Sequence, residues 1–172
     1  MQIVRLEFAG IGPFAQRQEI DFEELSIGGL FLLEGPTGAG KSTIVDAMVF
    51  ALYGDVAGSE SSKGRIVSTM LPEGVEPFVD LTIDTSHGLL RVRRVPEYER
   101  VKKRGSGNTT VKASIKLWKL AALDAAGVPV STNIQEANDE LSRAVGLTKS
   151  QFTQTVVLPQ GQFATFLKAK PE

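Results

Sequence analysis

The chain has 172 residues, 42% hydrophobic and 23% charged, a size and balance that suit one globular domain with a real core. It has no cysteine and no run of 18 apolar residues, which excludes disulfides, thiolate metal sites and a helical membrane span. The formal net charge of −1 hides a segregation: residues 91–119 hold ten Lys/Arg against Glu97 and Glu99, so that stretch is +8 and the remainder −9.

In chain order, QIVRLEFAG sets Ile3, Arg5 and Glu7 against Val4, Leu6 and Phe8, the period-2 pattern of a half-buried strand. GIGPFAQ has turn chemistry, and RQEIDF predicts the returning strand of a hairpin. GGLFLLE, residues 28–34, is a short apolar run that predicts a buried strand. After a glycine-rich loop, Ile44, Val45, Met48, Val49 and Leu52 are spaced for one apolar helix face, with Gly54 as C-terminal cap. DVAGSESSKGRIVSTMLPEG reads as an extended surface loop. Three strands follow: PFVDLTIDTS, GLLRVRRVPEY and TTVKASIKLWKLA. A tight turn at Ser86-His87-Gly88 joins the first two, and the basic loop ERVKKRGSGN joins the last two. STNIQEANDELSRAVG predicts a capped helix with Ile134, Ala137, Leu141 and Val145 on one face and Gly146 at its end. The remaining TKSQFTQTVVLPQGQFATFLKAKPE predicts a short helix, an apolar break and a new helix.

Gly35, Gly40, Lys41 and Ser42 fit the pattern G-x-x-x-x-G-K-[ST]. In such a curve successive N–H groups turn inward and cradle an anion. The helix that begins there adds its unpaired N–H groups and the positive end of its dipole. Lys41 then reaches the β- and γ-phosphates of a nucleotide, and the Ser42 hydroxyl becomes a magnesium ligand. A ligand-free glycine-rich turn is the plain alternative, and an apolar strand before and apolar helix after make it the poorer fit.

Hydrolysis needs a further acid on the metal and a group that positions water. Asp80 in PFVD and Asp84 in LTID are the nearest acids, but neither ends a four-residue apolar run, and both read better as solvated strand residues. His87 reads as polar turn filler. Gln160, in VVLPQGQF, stands before a glycine and a helix. Its amide oxygen would complete a magnesium shell or orient a water, or else it simply begins the helix.

GLFLLEGPTGAGKSTIVDAMVFALYG and TVVLPQGQFATFLKAKPE together resemble the SbcC family, the bacterial SMC-like ATPases of the SbcCD nuclease complex. MQIVRLEFAGIGPFAQRQEIDF is similar to that family's first hairpin, while residues 58–130 match only in pattern. The resemblance implies an α/β fold, the P-loop NTPase of the ABC-type ATPase head, with a mixed or antiparallel sheet around the phosphate-loop helix. Residues 1–172 would be its N-terminal lobe, cut before the coiled coil, with residues 161–172 starting the helix that leads into it. Gly35, Pro36, Thr37, Gly38, Ala39, Gly40, Lys41, Ser42 and Thr43 match the phosphate loop, and Gln160 matches the Q-loop glutamine. Lys41 and Gln160 would serve catalysis, and Ser42 and Gln160 would bind magnesium. Ser62 and Lys63 correspond loosely to a segment at the nucleotide's edge. The implied cofactors are ATP and Mg.

The implied partners are the chain's own C-terminal half with its signature motif and acidic strand, a second such head in an ATP-dependent homodimer, an SbcD-like nuclease subunit and double-stranded DNA, with no membrane. ATP hydrolysis by the full-length protein would gate double-strand end and hairpin processing in DNA repair and recombination, and this lobe alone would lack it. The expected location is cytoplasmic, at the nucleoid. One departure stands out. Related heads put an arginine or other polar residue in the first turn, which here reads Ile11-Gly12-Pro13-Phe14, with Gln16 and Arg17 later. Which of these touches the nucleotide stays open.

A transport ATPase would hold its Q-loop far closer than the 118 positions from Ser42 to Gln160. A stand-alone P-loop kinase would need its acidic and arginine groups inside this chain. The basic stretch reads either as a footprint for the DNA backbone or as a solvated sheet face. Arg91 and Arg93 share one face, Arg94 takes the other, and Lys112 and Lys116 alternate with Val111, Ile115 and Leu117. Arg100, Lys102, Lys103 and Arg104 are the candidate DNA contacts, the last three in a loop free to reach a duplex.

Overall fold

The computed structural model of the protein describes residues 1–25, 32–56, 66–102 and 104–155. Its first strand, β1 (Gln2–Ala9), buries Val4, Leu6 and Phe8 and turns Arg5 and Glu7 to the other face. β2 (Gln18–Asp21) returns antiparallel and runs into a single helical turn, α1 (Phe22–Leu25), which buries Phe22. The helix α2 (Lys41–Tyr53) comes next. After it follow β3 (Phe78–Thr85), β4 (Gly88–Val95), β5 (Tyr98–Val101), β6 (Asn108–Val111), β7 (Ser114–Leu120), β8 (Val128–Ser131), α3 (Ile134–Val145) and α4 (Lys149–Thr155).

Six strands form one antiparallel sheet in the order β2-β1-β3-β4-β7-β8, and β5 and β6 form a separate hairpin. The run expected as one strand, TTVKASIKLWKLA, is therefore two. The break at Lys112-Ala113 lies across from Pro96, which has no N–H to give a ladder, so the chain leaves the main sheet there. β8 has no counterpart among the expected strands. Its Pro129 argues against a strand anywhere but at an edge, and an edge is where β8 lies. The stretch expected as an extended surface loop also departs from that reading within its described part. Ile66 and Ser68 are buried, pinned by Gly12 N–H to Ile66 O (2.9 Å) and Ser68 N–H to Gly10 O (2.8 Å).

The helices cover one face of the sheet: α2 packs on β3 and β4, and α3 on β7 and β8. One apolar stripe was the expectation for α2, yet it buries Ala47, Val49, Phe50, Ala51 and Leu52, which point all round its axis. The sheet lies on one side of it and α3 and α4 on others, so no side of its second half is fully exposed, Met48 and Tyr53 being partly buried. Gly54 closes it as expected, left-handed at φ 72°, with its N–H donating to Phe50 O (2.8 Å). α3 is capped by the Asn133 side chain, which accepts from the N–H groups of Gln135 and Glu136. It buries Ala137, Leu141 and Ala144, whereas Ile134, expected on that face, is exposed.

Arg94 fastens this arrangement. It points from β4 into the helix layer, opposite to Arg91 and Arg93 as the period of two requires, and is only 4% exposed. Its guanidinium donates to Ala51 O (2.6 Å), Leu52 O (3.1 Å) and Asn138 Oδ1 (2.6 Å). The first two are last-turn carbonyls of α2, which lack intrahelical donors and carry the negative end of the helix dipole. Burial lowers the pKa of Arg94 to about 10, which still leaves it charged at neutral pH. Two more ties hold α4 to the same helix end: Lys149 Nζ to Asp55 Oδ2 (2.6 Å) and Tyr53 Oη to Leu147 O (3.0 Å). Burial pushes the Tyr53 phenol up to about 12, so it remains a neutral donor. Arg94→Met should keep the volume but leave three buried acceptors without a partner. The expected loss of stability is about 2–4 kcal/mol by urea unfolding, far more than for exposed Lys116→Met.

Candidate phosphate-binding site

Residues 32–40 form an irregular segment that ends at the first turn of α2. Its glycines carry the curve. Gly38 and Gly40 have φ of 86° and 89°, in the left-handed region, and a Cβ on Gly38 would meet nothing within 4 Å. Gly40 is the N-cap residue of α2 and no side chain caps that end. The first-turn N–H groups of the helix therefore have neither an intrahelical nor a side-chain acceptor. Ala39 N–H turns back to Pro36 O (3.2 Å), closing a small loop within the loop.

Lys41 lies across this curve. Its Nζ donates to Gly35 O (2.6 Å) and Pro36 O (2.8 Å), and no carboxylate among the described residues forms an ion pair with it. The ammonium is thus held across the loop by two neutral acceptors. An anion offering stronger, charged acceptors would exchange for them at a gain. Ser42, at the same helix start, is exposed. The residues present suit a phosphate group: an open glycine curve, an uncapped helix start and, among the described residues, an ammonium without a counter-charge and an exposed hydroxyl.

The strand expected before the loop is not seen in its described part. Leu32 and Leu33 are outside any strand and exposed, Leu32 at 80%. A buried strand needs ladder partners, and the interior strands of the six-stranded sheet already have one on each side. Gln160, Ser62, Lys63, Lys103 and residues 161–172 lie outside the described residues.

The turn residues left open by the sequence now separate. Pro13 and Phe14 sit against Gly40, and Gly12 against Thr43. Arg17 is elsewhere, bound to Glu7 (2.9 Å) on the sheet face away from α2. Nothing in the apolar sequence GPF signalled a contact with the loop. A groove of about 590 Å³ between residues 67–75 and the β5–β6 hairpin, lined by Tyr98, Arg100 and Glu73 among others, includes no residue of the loop.

Asp80 corrects its expected role. It is buried, not solvated, and accepts two bonds from Arg91, Nε and Nη2 each at 2.8 Å, with Arg93 at 3.7 Å. These bonds raise the pKa of Arg91 above its ordinary value. Val79 and Leu81, its neighbours, face the core shared with α2, so Asp80 points to the opposite side of the sheet and cannot serve a metal at the start of α2. Asp84 is exposed, and His87 is turn filler as expected.

The basic stretch is also less free than its count suggests. Arg91 and Arg93 are paired with Asp80 and Glu76, Arg91 also lies over Trp118 (5.6 Å), and Arg94 is internal. Arg100, Lys102, Arg104 and Lys112 make no ion pair among the described residues. Arg100 lies in β5. Lys102 and Arg104 belong to the exposed turn closed by Lys102 N–H to Gly107 O (3.1 Å).

The fold is that of a P-loop ATPase head, with a mostly antiparallel sheet beside the helix that the glycine loop opens. The chain belongs to the AAA domain family, whose match spans residues 5–172, and membership implies nucleotide binding. It is similar to proteins named as the SbcC subunit of the nuclease SbcCD. The identity is 37% for the one from Vibrio cholerae and 35% for that from Lactococcus lactis, each over 98% of this chain and 16% of the relative. For the Bacillus subtilis protein it is 34%, over 99% of this chain and 14% of the relative. The chain thus spans about a sixth of the length of these relatives. Among solved structures it is similar to the SMC head domain from Thermotoga maritima, at 22% identity and a TM-score of 0.42, covering 83% of this chain and 42% of that one. No helix among the described residues is long and apolar enough to cross a membrane.

The placement of Asp80 has a direct test. Asp80→Ala should leave nucleotide affinity, read by calorimetry, unchanged while lowering stability by about 1–2 kcal/mol, because it removes the two charge-assisted bonds that Arg91 makes across the sheet.

Proposed function

We propose that this chain is the ATP-binding N-terminal lobe of an SbcC-like ATPase, which in the full-length protein couples ATP hydrolysis to the processing of DNA ends and hairpins by a nuclease subunit. The observation that carries the reading is Lys41, an ammonium without a carboxylate partner among the described residues, held by two carbonyls over an open glycine curve at an uncapped helix start. Residues 35–43 would hold the phosphates, the N–H groups at the start of α2 and Lys41 supplying the donors. Ser42 and Gln160 would hold magnesium, which neutralises phosphate charge when bound. Ser62 and Lys63 would lie at the nucleotide's edge. The lobe would span residues 1–172, with residues 161–172 beginning the helix into the coiled coil.

The relatives' names supply a nuclease context, since each is a subunit of SbcCD. Exposed Leu32 and Leu33 support a partner segment beside the loop, and we assign that place to the chain's own C-terminal half, which would bring the signature motif and the acidic strand. Asp80, the nearest acid on the strands, is turned away from the start of α2. The lobe alone would therefore bind ATP without turning it over, and turnover would need that half and a second head. Protein of this kind belongs in the cytoplasm, at the nucleoid. The β5–β6 hairpin would lie along duplex DNA through Arg100, Lys102, Lys103 and Arg104, cations on a projecting turn.

Two measurements test this. Lys41→Ala should weaken ATP binding by about 1.5–3 kcal/mol, roughly ten- to a hundredfold, and equal calorimetric affinity would remove the phosphate-loop reading. Replacing Lys102, Lys103 and Arg104 together with alanine should weaken duplex binding and flatten its salt dependence. The log–log slope should fall by about 0.9 for each phosphate no longer bound, with ATP affinity unchanged. An unaltered slope would move the DNA to another surface.

A further inference from the structure

We propose that Phe14 is a positioning residue for the phosphate loop, acting through Gly40; the inference rests on the nucleotide-binding reading of that loop. The turn after β1 is held independently of the loop. Ile11 and Phe14 exchange both backbone hydrogen bonds, at 3.0 and 2.9 Å, and Gly10 and Gly12 are bonded to Ser68 and Ile66. The Phe14 ring stands edge-on to Phe8, centroids 5.3 Å apart at 76°, and Phe8 is wholly buried in the sheet's core. The sheet therefore sets where Phe14 lies.

From there the ring closes on Gly40. A Cβ on Gly40 would run into the Phe14 ring edge and lie 2.9 Å from Pro13 Cγ. A Cβ on Gly12 would likewise come within 2.6 Å of Thr43 Cγ2. The two contacts bracket Lys41 and Ser42, the residues that open α2. Gly40 is the pivot of that opening, since its left-handed backbone sets the direction of the N–H groups that follow. Its N-cap position has no side-chain bond, and a Cβ on Gly38 would meet nothing within 4 Å among the described residues. The other brace, Lys41 on Gly35 O and Pro36 O, is the one that must let go when the ammonium turns to an anion. The Pro13-Phe14 wall then remains to keep the donors aligned, which spares the ligand the cost of ordering them.

The test measures Mg-ATP affinity and melting temperature of the full-length protein side by side. Phe14→Ala should raise the Kd about tenfold, and Phe14→Leu, which keeps most of the bulk, by no more than about twofold. Leu117→Ala, a cavity in β7 well away from the turn, should lower the melting temperature and leave the Kd alone. If Phe14→Ala does not fold, Phe14→Val takes its place with the same expected direction. Wild-type affinity in the truncated variant, or an equal loss in Leu117→Ala, overturns the positioning role. Lys41→Ala in the same assay separates the two readings: if it too binds as wild type does, the loop is not the nucleotide site and both fall.

Discussion

The enclosure of α2 is the constraint on which the rest of this structure depends. Its second half is apolar all round, so it has to be surrounded, and a sheet on one side with two helices on the others is the arrangement that does so. Enclosure by apolar contact leaves a helix free to slide or turn by small amounts. Polar bonds at its C-terminal end remove that freedom: Arg94 takes two last-turn carbonyls, Gly54 closes the backbone, and Tyr53 and Asp55 tie in the approach to α4. A rod pinned at one end presents its other end in a defined place. That other end is the loop of Gly40 and Lys41, so precision at the phosphate-binding end begins at the opposite end of the helix, about 20 Å away at 1.5 Å per residue over thirteen residues.

The two faces of the sheet solve different problems. The face under α2 is nearly all apolar, with Arg94 its one buried cation among the described residues. The other face carries charge of both signs at alternate positions: Arg5, Glu7, Arg17, Glu19, Asp21, Asp80, Arg91 and Arg93. In an antiparallel ladder these meet as cross-strand neighbours, so a surplus of cations on β4 is met by acids on β1 and β3. This is where the segregated charge of the sequence goes. Part of it cancels across the sheet; of the rest, Arg100, Lys102 and Arg104 lie on the β5–β6 hairpin, and Lys116 and Lys119 stay exposed on β7.

Elements with a local cause were legible in the sequence. β1 and β3 follow the period of two; Gly54 and Gly146 end their helices, and Asn133 begins one, through bonds made within four residues. What escaped depends on partners far along the chain. The burial of Asp80 needs Arg91 opposite it, and the departure of the β5–β6 hairpin needs Pro96 and Lys112-Ala113 side by side. The all-round burial of α2 needs α3 and α4, residues some ninety positions away. At the candidate site the same division holds. The loop could be read because glycine spacing and the lysine carry their own reason, whereas Pro13 and Phe14 are ordinary turn residues until folding sets them against Gly40.

Three cations of this chain show how environment, not charge, assigns a task. Arg94 bonds three neutral oxygens at 2.6–3.1 Å and is only 4% exposed, so no dissolved anion reaches it. Arg91 is half-exposed but engaged with a buried carboxylate, a partner no dilute anion displaces readily, because leaving Asp80 would strand its charge. Lys41 also rests on carbonyls, yet at the surface, on a segment with open space beside it. Its present bonds run to neutral carbonyls, so exchanging them for a charged oxygen adds Coulomb attraction, and releasing them strands no charge. Of the three it alone gains by changing partners. Of these three, the residue placed to receive an anion is therefore the one whose bonds are most easily exchanged.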